Sequence, residues 1–374
     1  MMQPLPAAPG ADWIDHRDSL ERWLHDVPRD AVVGLDTEFM RRDTFYPRLA
    51  LLQLGVADRY ALVDPLAFPI GDALRPLLSG NDTITVMHSA SEDLEALSPL
   101  LPGGPRRLFD TQIAAAFVGL GLGPSYRALV AELAGGIELD KGETRSDWLQ
   151  RPLTDSQRSY ATLDVVYLQP VYEQLAERLR QRGRQAWHAE DCERLKLRMC
   201  SREGDPQPQR AFRGAADWTP TQRALLRRIL LWRDKTARAL DRPRPWLLED
   251  ALVMSLAQQP PANLAELEQR SRAQRALRSA QRAELLQVLA PPVSEEEVAQ
   301  TAAIPGQALG KAKLALGEMK LKIDALAVDL DLPAGLLCPR KVLEEYVVTA
   351  EWPEFLGGWR KEILEAPLSR LLPG

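Results

Sequence analysis

Val32-Val33-Gly34-Leu35-Asp36-Thr37-Glu38-Phe39 joins a short apolar run directly to two carboxylates. Four apolar residues in a row read as a strand buried on both faces. On a strand, residues two apart share a face, so Asp36 and Glu38 point to the same side. A buried carboxylate without a partner is costly, and a cation is the simplest compensation. Leu49 to Val56 is a second apolar run and reads as the neighbouring strand.

Two further acidic blocks stand downstream. Thr83-Ile84-Thr85-Val86-Met87 reads as a third strand that ends at His88, after which Ser91-Glu92-Asp93 opens a helix. Tyr160 and Asp164 are four apart, with Ala161, Leu163, Val165 and Leu168 around them in helical rhythm. That spacing puts phenol and carboxylate on one helix face. An isolated Asp-Xaa-Glu, or Tyr and Asp one helical turn apart, is common on solvated surfaces. As a set they send four carboxylates from three places toward one cleft. Hard divalent cations take oxygen ligands, and Mg²⁺ is held by a few carboxylates plus substrate phosphate. Two such ions about 4 Å apart form the clamp that hydrolyses phosphodiesters.

Three blocks carry a family resemblance. They are Asp36-Thr37-Glu38-Phe39, the His88 to Leu94 stretch with Glu92 and Asp93, and Ser146-Asp147-Trp148-Leu149-Gln150-Arg151-Pro152-Leu153 running on to Tyr160-Ala161-Thr162-Leu163-Asp164. Together they resemble the ribonuclease D family of the DEDD exonucleases, tyrosine variety. The resemblance implies an α/β ribonuclease H-like exonuclease domain, a mixed sheet flanked by helices. Two all-α HRDC-type helical domains follow it. It also implies two divalent ions, Mg²⁺ or Mn²⁺, held by Asp36, Glu38, Asp93 and Asp164, with Tyr160 orienting the attacking water or taking its proton. A phenol near pKa 10 is a poor base at neutral pH without cations beside it. The implied activity is 3′–5′ trimming of tRNA precursors and other structured RNAs with free 3′ ends, releasing 5′ mononucleotides. Met40, Gln53, His88, Phe45 and Tyr46 are candidate contacts to the terminal nucleotide, the aromatics by stacking. Core packing and structural histidine chemistry are the competing explanations for these residues.

Length and composition bound the rest. A chain of 374 residues exceeds one growing core, so two or three domains are expected. Hydrophobic content of 45% and charged content of 26% are ordinary for a globular protein. No apolar run is long enough to span a membrane, and the first ten residues lack the basic and apolar regions of a signal peptide. Cys192, Cys200 and Cys338 are odd in number and lack metal-type spacing, so they read as thiols of a reducing cytoplasm. A monomer is expected.

Composition shifts divide the chain into residues 1–204, 205–290 and 291–374, with a Gly/Pro linker over 202–208 and breaks at Pro260-Pro261 and Pro291-Pro292. Their net charges are −7, +6 and −4. The middle segment draws 14 of its 15 cations from Arg, whose planar fork suits phosphate. Arg227, Arg228 and Arg233 are its candidate RNA-backbone contacts, against the alternative of a merely solvated helix face. The layout Trp232-Arg233-Asp234, then Arg242-Pro243-Arg244-Pro245-Trp246, resembles an HRDC domain, and the last segment resembles it more weakly. No internal sequence repeat is evident. Two other classes stay open: a DNA-directed exonuclease with the same metal site, and a non-catalytic RNA-binding protein on a nuclease fold.

Overall fold

A computed structural model describes residues 8–139, 142–200 and 204–373. Residues 1–7 of the N-terminal segment, and Arg202 and Glu203 of the expected linker, lie outside the described residues.

The first domain runs β1 (Asp12–Ile14), α1 (Arg17–His25), β2 (Val32–Met40), β3 (Arg48–Val56), β4 (Arg59–Val63), α2 (Gly71–Leu78), β5 (Ile84–Met87), α3 (Ser91–Leu97), β6 (Leu108–Asp110), α4 (Thr111–Phe117), α5 (Tyr126–Leu133), α6 (Asp155–Val166), α7 (Leu168–Gln181) and α8 (Gln185–Met199). Its strands form one mixed sheet in the order β1-β4-β3-β2-β5-β6. The apolar run before Asp36 places β2 inside the sheet, antiparallel to β3 and parallel to β5. One face buries Leu20, Trp23, Leu74, Leu94 and Cys192 of α1, α2, α3 and α8. The other buries Val165, Leu168, Val171 and Leu175 of α6 and α7.

Two glycines decide how close α6 comes. Gly34 of β2 and Gly55 of β3 are paired in register. A Cβ at Gly55 would lie 3.2 Å from the Val165 carbonyl oxygen, and one at Gly34 would lie 3.3 Å from Leu168 Cβ. The end of α6 therefore rests directly on bare backbone, which holds Asp164 over Asp36. Gly55→Ala is expected to push this end outward by a few tenths of an ångström. Activity should fall about tenfold, since misplacement by about 1 Å can cost 10²-fold. Wild-type turnover in a variant of unchanged melting temperature would contradict that role.

The helical part holds α9 (Pro220–Leu240), α10 (Arg244–Leu247), α11 (Asp250–Gln258), α12 (Leu264–Arg270), α13 (Ser279–Leu289), α14 (Glu295–Ala299), α15 (Gly310–Asp329), α16 (Ala334–Leu337), α17 (Arg340–Thr349) and α18 (Trp359–Ser369). It contains a structural repeat, in keeping with the two helical domains expected, although no sequence repeat was evident. The start of α10 follows the start of α9 by the same interval that separates α16 from α15, and α11 and α17 begin 90 positions apart. Asp241 and Asp331 both take left-handed φ near 47° at the end of the long helix. Pro243 and Pro333, then the buried Leu247 and Leu337, occupy matching places. Leu226 and Leu316, Leu231 and Leu321, Asp234 and Asp324, Ala237 and Ala327, and Leu240 and Leu330 also match at this offset, a scattered set that does not read as a repeat without the structure.

Each unit docks on the exonuclease domain through that aspartate. Asp241 accepts hydrogen bonds from the Phe45 and Tyr46 amides at 2.9 and 3.1 Å. Asp331 accepts one from Arg182 at the end of α7. The second unit also shares a continuous core with the first domain, where Trp359 stacks on Trp187 at 4.8 Å and meets Phe117 edge-on at 5.3 Å. Residues just past 290 still pack on the first helical unit. Ile304 is buried in the first helical unit with Val293 against it, and Arg228 of α9 holds Glu297 of α14. Pro291-Pro292 ends α13 without ending the unit.

Candidate active site

Four elements build the site. Asp36 and Glu38 leave β2 on one face, and an irregularity in the β2–β3 pairing lies immediately after Glu38. Such bulges re-aim side chains beside functional sites. Tyr160 and Asp164 come from α6, whose start is fixed by a reciprocal cap between Thr154 and Gln157. Trp148 is buried beside α6, its ring 6.1 Å from that of Tyr160. Arg151 ties this segment to the sheet by paired bonds of 2.7 Å to Asp64 and one of 2.6 Å to the Ala50 carbonyl.

Asp36, Glu38 and Asp164 each bring a carboxylate oxygen within 4.8 Å of the others. Asp93 stands at the edge of this group and accepts a hydrogen bond from Thr37 Oγ1. Thr37, between the two acids of β2, points to the opposite face and was not singled out from sequence. Asp110 was missed as well. It is 1% exposed and accepts amide bonds from Ala90 (2.8 Å), Gln112 (2.8 Å), Ile113 (3.1 Å) and Ser89 (3.3 Å). That cage fixes the turn leading into α3 and therefore Asp93. An aspartate at a strand end just before a helix was the available signal.

The electrostatics describe a cluster short of positive charge. Burial, then Asp93, Asp164 and Glu38, raise the Asp36 carboxyl well above its ordinary range. Burial and the two aspartates opposite push Glu38 to about 9. Burial and Asp93 push Asp164 to about 8. Asp93 rises to about 6 through burial, opposed by its bond from Thr37. Burial and Asp164 push the Tyr160 phenol to about 12, opposed by a hydrogen bond from Thr144. The phenol therefore keeps its proton at neutral pH and is a poor base.

This donor set fits hard divalent cations, because it is all carboxylate and its charges are mutually uncompensated. A linkage follows. Glu38 and Asp164 titrate higher folded than unfolded, so from about pH 4 to about pH 9 the metal-free folded chain binds more protons than the unfolded one. The stability this contributes is complete below that window and is lost as pH rises through it. Mg²⁺ or Mn²⁺ is therefore expected to raise the melting temperature more at pH 8 than at pH 5.5. Equal shifts at the two pH values would contradict the cluster's role.

The other expected contacts divide. Met40 is half-buried at the end of β2, and Tyr46 is half-buried in the loop beyond it. Phe45 is 6% exposed and lies between the guanidinium groups of Arg238 (4.7 Å) and Arg244 (4.5 Å), so its ring is covered by the first helical unit and closed to a base. Gln53 sits opposite Asp36 on β3 with no exposure, and neither of its side-chain polar atoms has a hydrogen-bond partner among the described residues. It lies beside Asp36 on the sheet and, fully buried, is not open to a nucleotide. His88 is held by Thr111 at 2.9 Å, with its ring 5.6 Å from that of Tyr126. Burial pulls its pKa down to about 4, so it is a neutral structural group at physiological pH.

The expected arginine contacts all make bonds within the chain, Arg228 and Arg233 through ion pairs and Arg227 through Nε alone. Arg233 is buried and bonds Asp250 at 2.7 Å and the Leu248 carbonyl at 2.8 Å. Arg228 grips Glu297 and the carbonyls of Val288 and Pro291. Arg227 donates to the Pro206 carbonyl at 2.8 Å. These guanidinium groups hold α9 to its neighbours. The Arg228 bond pulls the Glu297 carboxyl down to about 2. That contribution to stability is present above the ordinary glutamate pKa and fades as pH falls toward 2. In Arg228→Gln, the Glu297 titration followed by NMR should return toward its ordinary value near 4.3. A Glu297 pKa still near 2 would contradict this pairing.

Comparison with known proteins agrees with this geometry. Residues 11–180 match the family model for a 3′–5′ exonuclease, and residues 222–289 match that of the HRDC domain. Ribonuclease D of Xanthomonas oryzae pv. oryzae is 41% identical over 96% of this chain and 98% of its own. Ribonuclease D of Pseudomonas paraeruginosa is 36% identical over 95% and 96%. The crystal structure of Escherichia coli RNase D, described as an exoribonuclease involved in structured RNA processing, superposes with a TM-score of 0.79. It is 28% identical and covers 97% of this chain and 99% of its own. With near-complete coverage in both directions, and an exonuclease domain followed by HRDC-type helices, the chain belongs to the ribonuclease D family of 3′–5′ exonucleases.

Proposed function

We propose that this chain trims the 3′ ends of structured RNAs, tRNA precursors among them, one 5′ mononucleotide at a time. The observation that carries the reading is the convergence of Asp36, Glu38 and Asp164, with Asp93 at its edge and Tyr160 one helical turn from Asp164. Asp36, Glu38, Asp93 and Asp164 would hold two divalent ions, Mg²⁺ or Mn²⁺. Such ions supply positive charge that favours deprotonation of water and stabilises the departing 3′ oxygen.

The chain's own groups do the positioning. Thr37 and the Asp110 cage hold Asp93 at the edge of the cluster. The Gly34–Gly55 contact holds Asp164 over β2. Tyr160, steadied by Thr144, orients the attacking water from the α6 side. Met40 and Tyr46 lie just beyond the acidic pair on the same strand and loop, within reach of the last nucleotide. Three unpaired cysteines suit a reducing cytoplasm, and we take the working form to be a monomer. Among the described residues no helix is long and apolar enough to cross a membrane.

Matched oligonucleotides ending in a 3′-hydroxyl or a 3′-phosphate test the reading. The first should be shortened stepwise and the second should resist. Equal digestion of both would refute a mechanism that grips the terminal phosphodiester. Matched RNA and DNA strands in the same assay should show RNA degraded faster, and a preference for DNA would favour a proofreading-type nuclease.

A further inference from the structure

The middle segment owes its charge of +6 to fifteen cations, and ten of these are tied by hydrogen bonds or ion pairs within the molecule. Among the described residues, Arg223, Lys235 and three arginines of one loop are the cations of this segment without such a tie. Three arginines lie together in the loop between α12 and α13, in the stretch Ser271-Arg272-Ala273-Gln274-Arg275-Ala276-Leu277-Arg278. Arg272, Arg275 and Arg278 are all exposed, and none has an ion pair among the described residues.

The loop is built with a period of three. Ser271, Gln274 and Leu277 are buried at 0%, 8% and 1% exposure, and each is followed by one of the outward arginines. Ser271 Oγ donates to the Leu267 carbonyl at 2.6 Å, and Gln274 Oε1 accepts from the Glu249 amide at 3.2 Å. The Ala276 amide donates to the Trp246 carbonyl at 2.8 Å. A fourth arginine, Arg282, fixes the base by donating to Ser271 Oγ at 3.0 Å and to its carbonyl at 3.2 Å. Arg275 lies 5.6 Å over the half-buried ring of Trp246. Three like charges are thus held outward on an anchored backbone, and a preorganised surface loses little freedom on binding.

The loop is tied through Trp246 to α10, the segment whose arginine meets the exonuclease domain at Phe45. Trp246 is two residues past Arg244, which stacks on Phe45, and Phe45 stands seven residues past Glu38. We propose that Arg272, Arg275 and Arg278 form a docking surface for the phosphate backbone of RNA whose 3′ end lies in the acidic site. This rests on the exonuclease reading above and gives it a second contact region. Guanidinium forks take phosphate oxygens in pairs, and shape-based RNA recognition runs through phosphates and 2′-hydroxyls.

The test compares wild type with the triple variant R272Q/R275Q/R278Q, and with the triple Lys variant as a charge-preserving control. Each is assayed on a short RNA oligonucleotide and on a structured RNA with a single-stranded 3′ tail. Each phosphate neutralised contributes about −0.7 to −0.9 to the slope of log K against log salt. The Gln variant should flatten the slope for structured RNA by about 2. A fourfold rise in salt would then cost wild type roughly 20-fold more affinity than it costs the variant. Short-oligonucleotide cleavage and the melting temperature should stay at wild-type values, and the Lys variant should keep most of the slope. An unchanged slope with short-substrate cleavage intact overturns the surface and leaves the loop to an acidic protein partner. Failure of wild type to cleave the short oligonucleotide overturns the exonuclease reading instead.

Discussion

Asp36→Asn should abolish nearly all RNA hydrolysis while making the metal-free protein more stable. The two effects share a cause. Asp36 is the most crowded of the four acids, raised by burial and by Asp93, Asp164 and Glu38 together. In wild type above neutral pH the buried negative charges oppose each other without protein cations to offset them. An amide of nearly the same shape removes one charge and relieves that repulsion. It also removes an anionic ligand from the ion clamp, whose charge stabilisation of the transition state amounts to several kcal/mol. A loss of that size corresponds to about 10³-fold in rate, each factor of ten being about 1.4 kcal/mol. Turnover at saturating Mg²⁺, measured beside melting curves with and without the ion, reads both effects. Near-wild-type turnover would sink the assignment, and a variant less stable than wild type without metal would contradict the electrostatic account.

The second large effect concerns architecture. Arg360 of α18 is 1% exposed and donates two parallel bonds to Asp191 of α8, with Nη2 2.6 Å from Oδ2. Its Nε donates to the Leu336 carbonyl at 2.9 Å, and its guanidinium lies 4.2 Å from the Trp359 ring centroid. Trp359 Nε1 donates to the same Asp191 carboxylate at 3.2 Å. Removing one member of such a pair leaves an uncompensated buried charge, at a cost of about 3–5 kcal/mol. Arg360→Met is therefore expected to destabilise the chain by that amount, with α15–α18 losing hold of the exonuclease domain first. The double change Asp191→Leu with Arg360→Met should recover much of the loss, since apolar replacement of a buried pair is often neutral. Denaturant unfolding of both variants checks this. A single variant within 1 kcal/mol of wild type would show that the shared apolar core alone fastens the second unit.

The acidic site was legible because its signals are local. Two-residue alternation placed Asp36 and Glu38 on one face, and four-residue spacing placed Tyr160 and Asp164 on another. What brings those faces together was not legible. The Gly34–Gly55 pair lies across two strands, and nothing in either strand alone says that a helix end rests there. Asp110 and Thr37 act on Asp93 through hydrogen bonds from separate elements. Charge composition misled the reading of α9 for the same reason. Arg228 finds Glu297 69 positions away, and Arg233 finds Asp250 17 positions away. A count of arginines cannot tell a solvated fork from one spent on a carboxylate. Phe45 looked available because it follows the acidic strand, but the arginines that cover it stand nearly two hundred positions later. Two helical domains were expected from the resemblance, but their kinship did not read as a sequence repeat, because the residues they share at a 90-residue offset, two aspartates, one proline, one alanine and four leucines over α9–α10 and α15–α16, are scattered and mostly apolar.

The central claim is that these carboxylates serve stepwise removal of nucleotides from a free 3′ end of RNA. A 3′-extended tRNA precursor labelled at its 5′ end, incubated with Mg²⁺ and resolved on a sequencing gel, tests it most directly. The account predicts a ladder of labelled products shortened one nucleotide at a time, released 5′ mononucleotides, and complete arrest by a metal chelator. Internal fragments, release of the 5′ label as a mononucleotide at the earliest times, or shortening that persists with chelator present would contradict it.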